Sequence, residues 1–173
     1  LVAVSGEKGD DEFSTNGGKT DIYGGADDDS WLLWQADAAD GPQNVDVLEA
    51  SVQVSNNVLH SGTAGVGGPF SPYTDIEEIT VQGGVNADTF RVIGLTSGTW
   101  DGANSVKLLG NAGNDVLNAS SEVLPSSVEL YGEGGNDGFG TNGGEVNIFG
   151  GADTASFTLF QTQAPNGPQR VTV

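Results

Sequence analysis

Short apolar runs separated by stretches rich in Gly, Asp and Asn recur along the chain, and none carries the 3.6-residue apolar stripe of a helix. Several of them align on a nine-residue frame. GEKGDDEFS (6–14), GGADDDSWL (24–32), GGVNADTFR (83–91), GNAGNDVLN (110–118) and GEGGNDGFG (132–140) each open with Gly, carry Asp at the sixth place and a large apolar residue at the eighth. The sixth places are Asp11, Asp29, Asp88, Asp115 and Asp137; the eighth are Phe13, Trp31, Phe90, Leu117 and Phe139. Plainer units keep only an eighth-place residue: TNGGKTDIY with Ile22, VIGLTSGTW with the weak match Thr99, DGANSVKLL with Leu108 and TNGGEVNIF with Ile148. Over 6–32 and 132–158 three units run in unbroken tandem, so motif-bearing units return 18 residues apart with a plainer unit between them.

This frame predicts a six-residue turn followed by a three-residue strand whose central side chain points inward. Two units would close one coil, and stacking coils at roughly 4.8 Å would bury apolar faces that no single coil can bury alone. Glycine at the first place is expected to supply positive φ in the turn, and the sixth-place Asp to face the turn of the neighbouring coil. Trp31 and Phe157, at matching inward places, are expected in the core, with Trp34 and Phe160 covering it or standing on the surface.

A longer repeat overlies the short one. Residues 2–47 match residues 128–173 without a gap at an offset of 126, with about half of the positions identical. The chain therefore reads as one domain over 1–173: a full unit at 2–127, a partial second copy at 128–173, and an irregular insertion at about 56–75. In the middle, VDVLEASVQV alternates as a strand, and Ile76, Ile79 and Val81 suggest another leading to Gly83. Between them HSGTAGVGGPFSPY reads as an extruded loop.

Composition sharpens the picture. The chain has 28 Gly, no Cys, no Met, and 24 acidic against 5 basic side chains, for a net charge of −19. A compact domain with that charge repels itself unless cations bind. Hydrophobic residues at 36%, spread in β-type runs, argue against disorder. The scattered cations Lys8, Lys19, Arg91, Lys107 and Arg170 exclude nucleic acid and acidic membrane surfaces as partners. No apolar stretch approaches the roughly 20 residues of a membrane span, disulfides and thiolate metal sites are excluded, and the missing leader and initiator Met suggest an excised or processed piece.

At these residues the chain resembles the glycine- and aspartate-rich nonapeptide G-G-x-G-x-D-x-(apolar)-x of the RTX, or repeats-in-toxin, calcium β-rolls. GNAGNDVLN and GEGGNDGFG match best, while GGVNADTFR departs at Asn86 and Ala87. The resemblance implies an all-β, right-handed parallel β-roll or β-helix solenoid whose turns bind several Ca²⁺ ions. It also implies an exported protein, of the kind found in bacterial surface proteins, that folds on meeting extracellular calcium.

The spacing makes sense for a hard cation independently, because Ca²⁺ takes six to eight oxygens and such turns offer carbonyls plus one carboxylate each. Expected ligands are Asp11, Asp27, Asp29, Asp88, Asn114, Asp115, Asn136, Asp137 and Asp153. Asp11 with Asp27 or Asp29 should line one site and Asp137 with Asp153 its equivalent, weakened because Ala155 stands where the first copy has Asp29. Asp88 and Asp115 lie 27 residues apart, which a strict two-sided roll would put on opposite edges and a three-sided coil would not; the sequence leaves both open. The competing reading is that each Asp only caps a turn through hydrogen bonds to the backbone.

Catalytic readings are weaker. His60 is the single His and stands beside a loop, and acid pairs such as Asp27 and Asp29 lack the basic partners that chemistry on an acidic sugar requires. The expectation is a non-enzymatic, calcium-stabilised structural or adhesive module of a secreted repetitive surface protein or filament. Its expected partners are calcium, a second copy end to end, and a surface glycan or protein. The alternative is the accessory calcium module of a secreted polysaccharide-active enzyme or protease. A third reading binds carbohydrate through Trp34, Trp100 or Tyr73.

Overall fold

Alternating apolar and polar residues make a strand that buries one face, and short runs closed by glycine-rich turns favour many strands over a few long ones. The computed structural model describes residues 2–15, 20–34, 43–48, 51–56, 70–93, 103–119, 124–141, 145–159 and 170–172. These form sixteen strands and no helix. They are β1 (Val2–Lys8), β2 (Glu12–Thr15), β3 (Thr20–Ala26), β4 (Ser30–Trp34), β5 (Gln43–Leu48), β6 (Ser51–Asn56), β7 (Phe70–Thr74) and β8 (Glu78–Gln82). The second half adds β9 (Thr89–Ile93), β10 (Ser105–Leu109), β11 (Val116–Ala119), β12 (Ser127–Tyr131), β13 (Gly138–Thr141), β14 (Glu145–Phe149), β15 (Ser156–Leu159) and β16 (Arg170–Thr172).

The protein is all-β, with most strands paired in parallel in two sheets. One runs β1-β3-β7-β6-β5-β9-β11-β13-β15 and the other β16-β14-β12-β10-β8-β4-β2. From β8 to β16 the chain changes sheet at every strand. Neighbours pair in register at the predicted period of 18 where the nonapeptides are in tandem: Phe13 lies beside Trp31, Ile22 beside Val4, and Phe139 beside Phe157. Elsewhere the step lengthens. Phe90 pairs with Leu117 and Ile79 with Val106, 27 positions apart, and the additional residues fall between β9 and β10, mainly at 94–102 outside the described residues. Asp88 and Asp115 therefore stand directly before β9 and β11, which are adjacent in one sheet, and the extra nonapeptide lies between β9 and β10 in the sequence.

The eighth-place residues form the core as expected. Phe13, Ile22, Trp31, Phe90, Leu108, Leu117, Phe139 and Ile148 are buried, joined by Leu33, Ile79, Val81, Val106, Val128, Leu130 and Val146 from the same inward rows. Three sequence readings change. Phe157 is exposed, not core, because among the described residues β15 is the last strand of its sheet and no strand covers its row. VDVLEASVQV is two strands, β5 and β6, pairing antiparallel with Val45 opposite Val54. The end of the expected loop, Phe70 to Tyr73, belongs to β7, which pairs antiparallel with β6 and parallel with β3. A loop sequence becomes strand here because an open sheet edge offers backbone partners that local propensity does not anticipate. His60, Thr99, Trp100 and Phe160 lie outside the described residues, as do the side chains of Trp34 and Tyr73.

The 126-residue repeat maps onto the sheets with a twist of assignment. β12 and β14, the equivalents of β1 and β3, stand in the seven-stranded sheet, whereas β1 and β3 stand in the nine-stranded one. Equally, β13 and β15 have exchanged sheets relative to β2 and β4.

Candidate functional site

Four of the five acidic turns share a backbone conformation that the fifth, with Gly84 and Asn86, lacks. Second-place residues Glu7, Gly25, Asn111, Glu133 and Gly151 all have positive φ, and so do the fourth-place residues Gly9, Asp27, Gly113 and Gly135. The first-place glycines are not among the positive-φ residues, so the conformational reason expected for them is wrong. What they supply is room. A Cβ on Gly110 would run into Asp115 Oδ2 and the Gly132 carbonyl; one on Gly132 would meet Asp137 Oδ2 and the Gly150 carbonyl; one on Gly6 would meet Asp11 Oδ2 and the Gly24 carbonyl. Each first-place glycine thus lets its own turn's carboxylate and a neighbouring turn's carbonyl approach closer than any side chain would allow.

Two ladders of sixth-place acids result. In the turns entering the seven-stranded sheet, the Asp11 amide donates to Asp29 Oδ1 at 2.9 Å, and the Asp29 amide donates to Glu77 Oε2 at 2.7 Å. In those entering the nine-stranded sheet, the Asp88 amide donates to Asp115 Oδ1 at 2.7 Å and the Asp115 amide to Asp137 Oδ1 at 2.9 Å. Asp29, Asp88, Asp115 and Asp137 are all buried, and Asp11 is half-buried.

The two oxygens of these carboxylates fare differently. Oδ1 of Asp29, Asp115 and Asp137 accepts a backbone amide, as the turn-capping reading requires. Oδ2 of Asp11, Asp29, Asp115 and Asp137 is buried without a hydrogen-bond partner. Asp88 is the exception: its Oδ2 accepts from the Gly84 amide at 3.0 Å, as a cap would. Leaving a buried charged oxygen unpartnered costs several kcal/mol or forces neutralisation. Carboxylates stacked roughly 4.8 Å apart repel by about 3 kcal/mol per adjacent pair at an effective dielectric near 20. A single amide donor to each offsets about 1.5–3 kcal/mol, so repulsion and desolvation win. The consequence is visible at Asp115, in the middle of its ladder, whose pKa is pushed up from 3.8 to about 7 by burial, with further lifting by the charges of Asp88 and Asp137 against the lowering of its backbone hydrogen bond.

The other expected ligands stand on the outer rim. Asp27 Oδ2 accepts from the Gly9 amide at 3.2 Å, Asp153 Oδ2 from the Gly135 amide at 3.1 Å, and Asn114 Oδ1 from the Asn136 amide at 2.9 Å. Asp27, Asn114, Asn136 and Asp153 are all exposed, and these bonds clamp one turn to the next. Asp27 and Asp153 thus each bond to the backbone of a neighbouring turn. Ala155 leaves the second ladder without a further acid, as its sequence position implied.

Glu77 is the acid that sequence reasoning missed. It precedes β8 as Asp29 precedes β4 and takes the sixth-place role with one more methylene, while the Asp75 carbonyl fills the role of a first-place glycine carbonyl against Gly24. The available signal was an acid directly before the Ile79 and Val81 alternation; the shortened turn hid it. Among the described residues, no group of three or more His, Cys, Asp or Glu side chains converges on one point in the manner of an all-side-chain metal cage. Any cation at the ladders would take one carboxylate per turn and complete its shell from carbonyls. No known family pattern, characterised protein or solved structure matches the chain.

Proposed function

We propose that the sixth-place carboxylates hold calcium ions between successive turns. In this reading the chain is a right-handed parallel β-roll whose function is mechanical: a calcium-stabilised structural or adhesive module of a secreted, repetitive surface protein or filament, with no catalytic role. The observation that carries the reading is the set of buried, unpartnered Oδ2 atoms on Asp11, Asp29, Asp115 and Asp137, each packed against a glycine that a neighbouring turn's carbonyl also approaches closely. A hard cation is the species that satisfies a carboxylate and carbonyls together, tolerates their mixed geometry, and removes the repulsion along the ladder. Asp11 with Asp29, and Asp115 with Asp137, would be the holding pairs, with Glu77 extending the first. The rim residues Asp27, Asn114, Asn136 and Asp153 would set the spacing between turns.

Thermal unfolding in excess EGTA, Mg²⁺ and Ca²⁺, together with calorimetric titration of Ca²⁺ into the metal-free chain, tests this. A calcium-specific rise in melting temperature with saturable heat is expected. Identical melting in EGTA and Ca²⁺, with no heat of binding, removes the metal and leaves the aspartates as turn caps.

A further inference from the structure

The turn before β9, GGVNAD (83–88), carries the sixth-place acid but not the surroundings that acid has elsewhere. Its second and fourth places, Gly84 and Asn86, are not among the positive-φ residues. In the next turn Asn111 (φ 74) and Gly113 (φ 142) are, and in the one after it Glu133 (φ 68) and Gly135 (φ 124). On its different course the turn brings the Gly84 amide onto its own carboxylate, where it donates to Asp88 Oδ2 at 3.0 Å. The corresponding Oδ2 atoms of Asp115 and Asp137, the next two acids of the same ladder, are buried without a hydrogen-bond partner.

The carbonyl side of this turn is answered as well. Asn111, at the second place of the following turn, donates from Nδ2 to the Gly83 carbonyl at 3.2 Å across 28 positions of sequence. The other second places hold Glu7, Gly25, Gly84, Glu133 and Gly151. An ionised carboxylate only accepts and glycine has no side chain, so Asn111 is the one second-place residue that can meet a carbonyl with an N–H. It does so at the acidic turn whose carboxylate is already capped. A hard cation between turns would satisfy carboxylate and carbonyl oxygens together; here two N–H donors of the protein satisfy one of each.

We infer that the Asn111 carboxamide and the Gly84 amide take the place of an ion at the Asp88 turn, so that in this ladder calcium is confined to Asp115 and Asp137 and Asp88 holds none. The inference rests on the calcium reading of the unpartnered carboxylates and narrows it, making the second-place residue the one that decides where ions sit. A donor there ties the turn directly, whereas a carboxylate or a glycine leaves the oxygens to a cation. The step from β9 to β11 is then a joint that holds without calcium, and the step from β11 to β13 is one that calcium tightens.

Native mass spectrometry of the intact chain in Ca²⁺ counts bound ions, and melting in EGTA and in saturating Ca²⁺ accompanies it, for the wild type, Asp88→Asn, Asp137→Asn and Asn111→Asp. Asp88→Asn is expected to hold the wild-type number of ions and Asp137→Asn one fewer. Asn111→Asp keeps the shape of the side chain, tolerates the φ of 74, and turns a carboxylate in place of a donor toward the Gly83 carbonyl. It is expected to melt below the wild type in EGTA, to hold one ion more, and to regain the lost melting temperature in Ca²⁺. An Asp88→Asn chain one ion short, an Asp137→Asn chain that loses none, or an Asn111→Asp chain that gains none overturns the inference, while calcium bound by the wild type leaves the broader reading standing. A wild type that binds no calcium removes both. Should Asn111→Asp fail to fold, the ion count of Asp88→Asn, unchanged or one lower, decides the matter.

Discussion

Asp115→Asn separates a metal ligand from a turn cap by the sign of its effect. Asparagine keeps the Oδ1 that accepts the Asp88 amide and replaces the unpartnered Oδ2 with an amide donor close to the Gly132 carbonyl. It also removes a charge that Asp88 and Asp137 both repel. A carboxyl raised from 3.8 to about 7 in the fold costs the metal-free protein on the order of 4 kcal/mol at about pH 8, at roughly 1.4 kcal/mol per unit. Partial relaxation around the charge lowers the recoverable part to about 2–4 kcal/mol, a rise in melting temperature of roughly 5–15 °C for a domain of this size. Scanning calorimetry in EGTA should therefore show the variant melting above the wild type. In saturating Ca²⁺ the order should reverse, because a charged ligand has been replaced by a weaker neutral one. If Asp115 is only a cap, the variant melts at or below the wild type in EGTA and responds to Ca²⁺ as the wild type does; that result refutes the reasoning.

Other outcomes follow from the same geometry. The folded pKa of Asp115 lies above its unfolded value, so the metal-free fold takes up a proton between about pH 4 and 7 and its stability falls as pH rises through that window; with Ca²⁺ bound the trend should invert, since acid competes with the ion, and paired melting curves at several pH values read both slopes. Gly132→Ala places a methyl group against Asp137 Oδ2 and the Gly150 carbonyl and should lower stability by about 1–3 kcal/mol. Gly9→Ala meets nothing within 4 Å, and its cost of about 1 kcal/mol should come from its φ of +104 alone; urea unfolding of both variants compares space with strain. Leu117→Ala, at a fully buried inward place, should cost about 2–5 kcal/mol, whereas Phe157→Ala, at an exposed one, should cost under about 1 kcal/mol.

Much of the architecture is written in local spacing. Asp at the sixth place and an apolar residue at the eighth, repeated every 18 residues, dictate which side chains face inward and which carboxylates stack, because strand geometry and coil spacing depend only on neighbouring residues and on the period. Phe13 beside Trp31, and Asp11 bonded to Asp29, could be read in advance for that reason. What distance along the chain cannot specify is which strands become neighbours once the period breaks. The alliance of Asp88 with Asp115 across 27 residues, the recruitment of Glu77 from 48 residues beyond Asp29, the antiparallel β5 and β6, and the exchange of sheets between the two repeat copies arise from where the chain re-enters the stack. The same holds within one carboxylate: the sequence determines that an aspartate stands in each acidic turn, but only the packed strands decide that Oδ1 of Asp137 meets an amide while its Oδ2 is left buried and bare, since burial and partnership belong to the assembled sheets and not to any single turn.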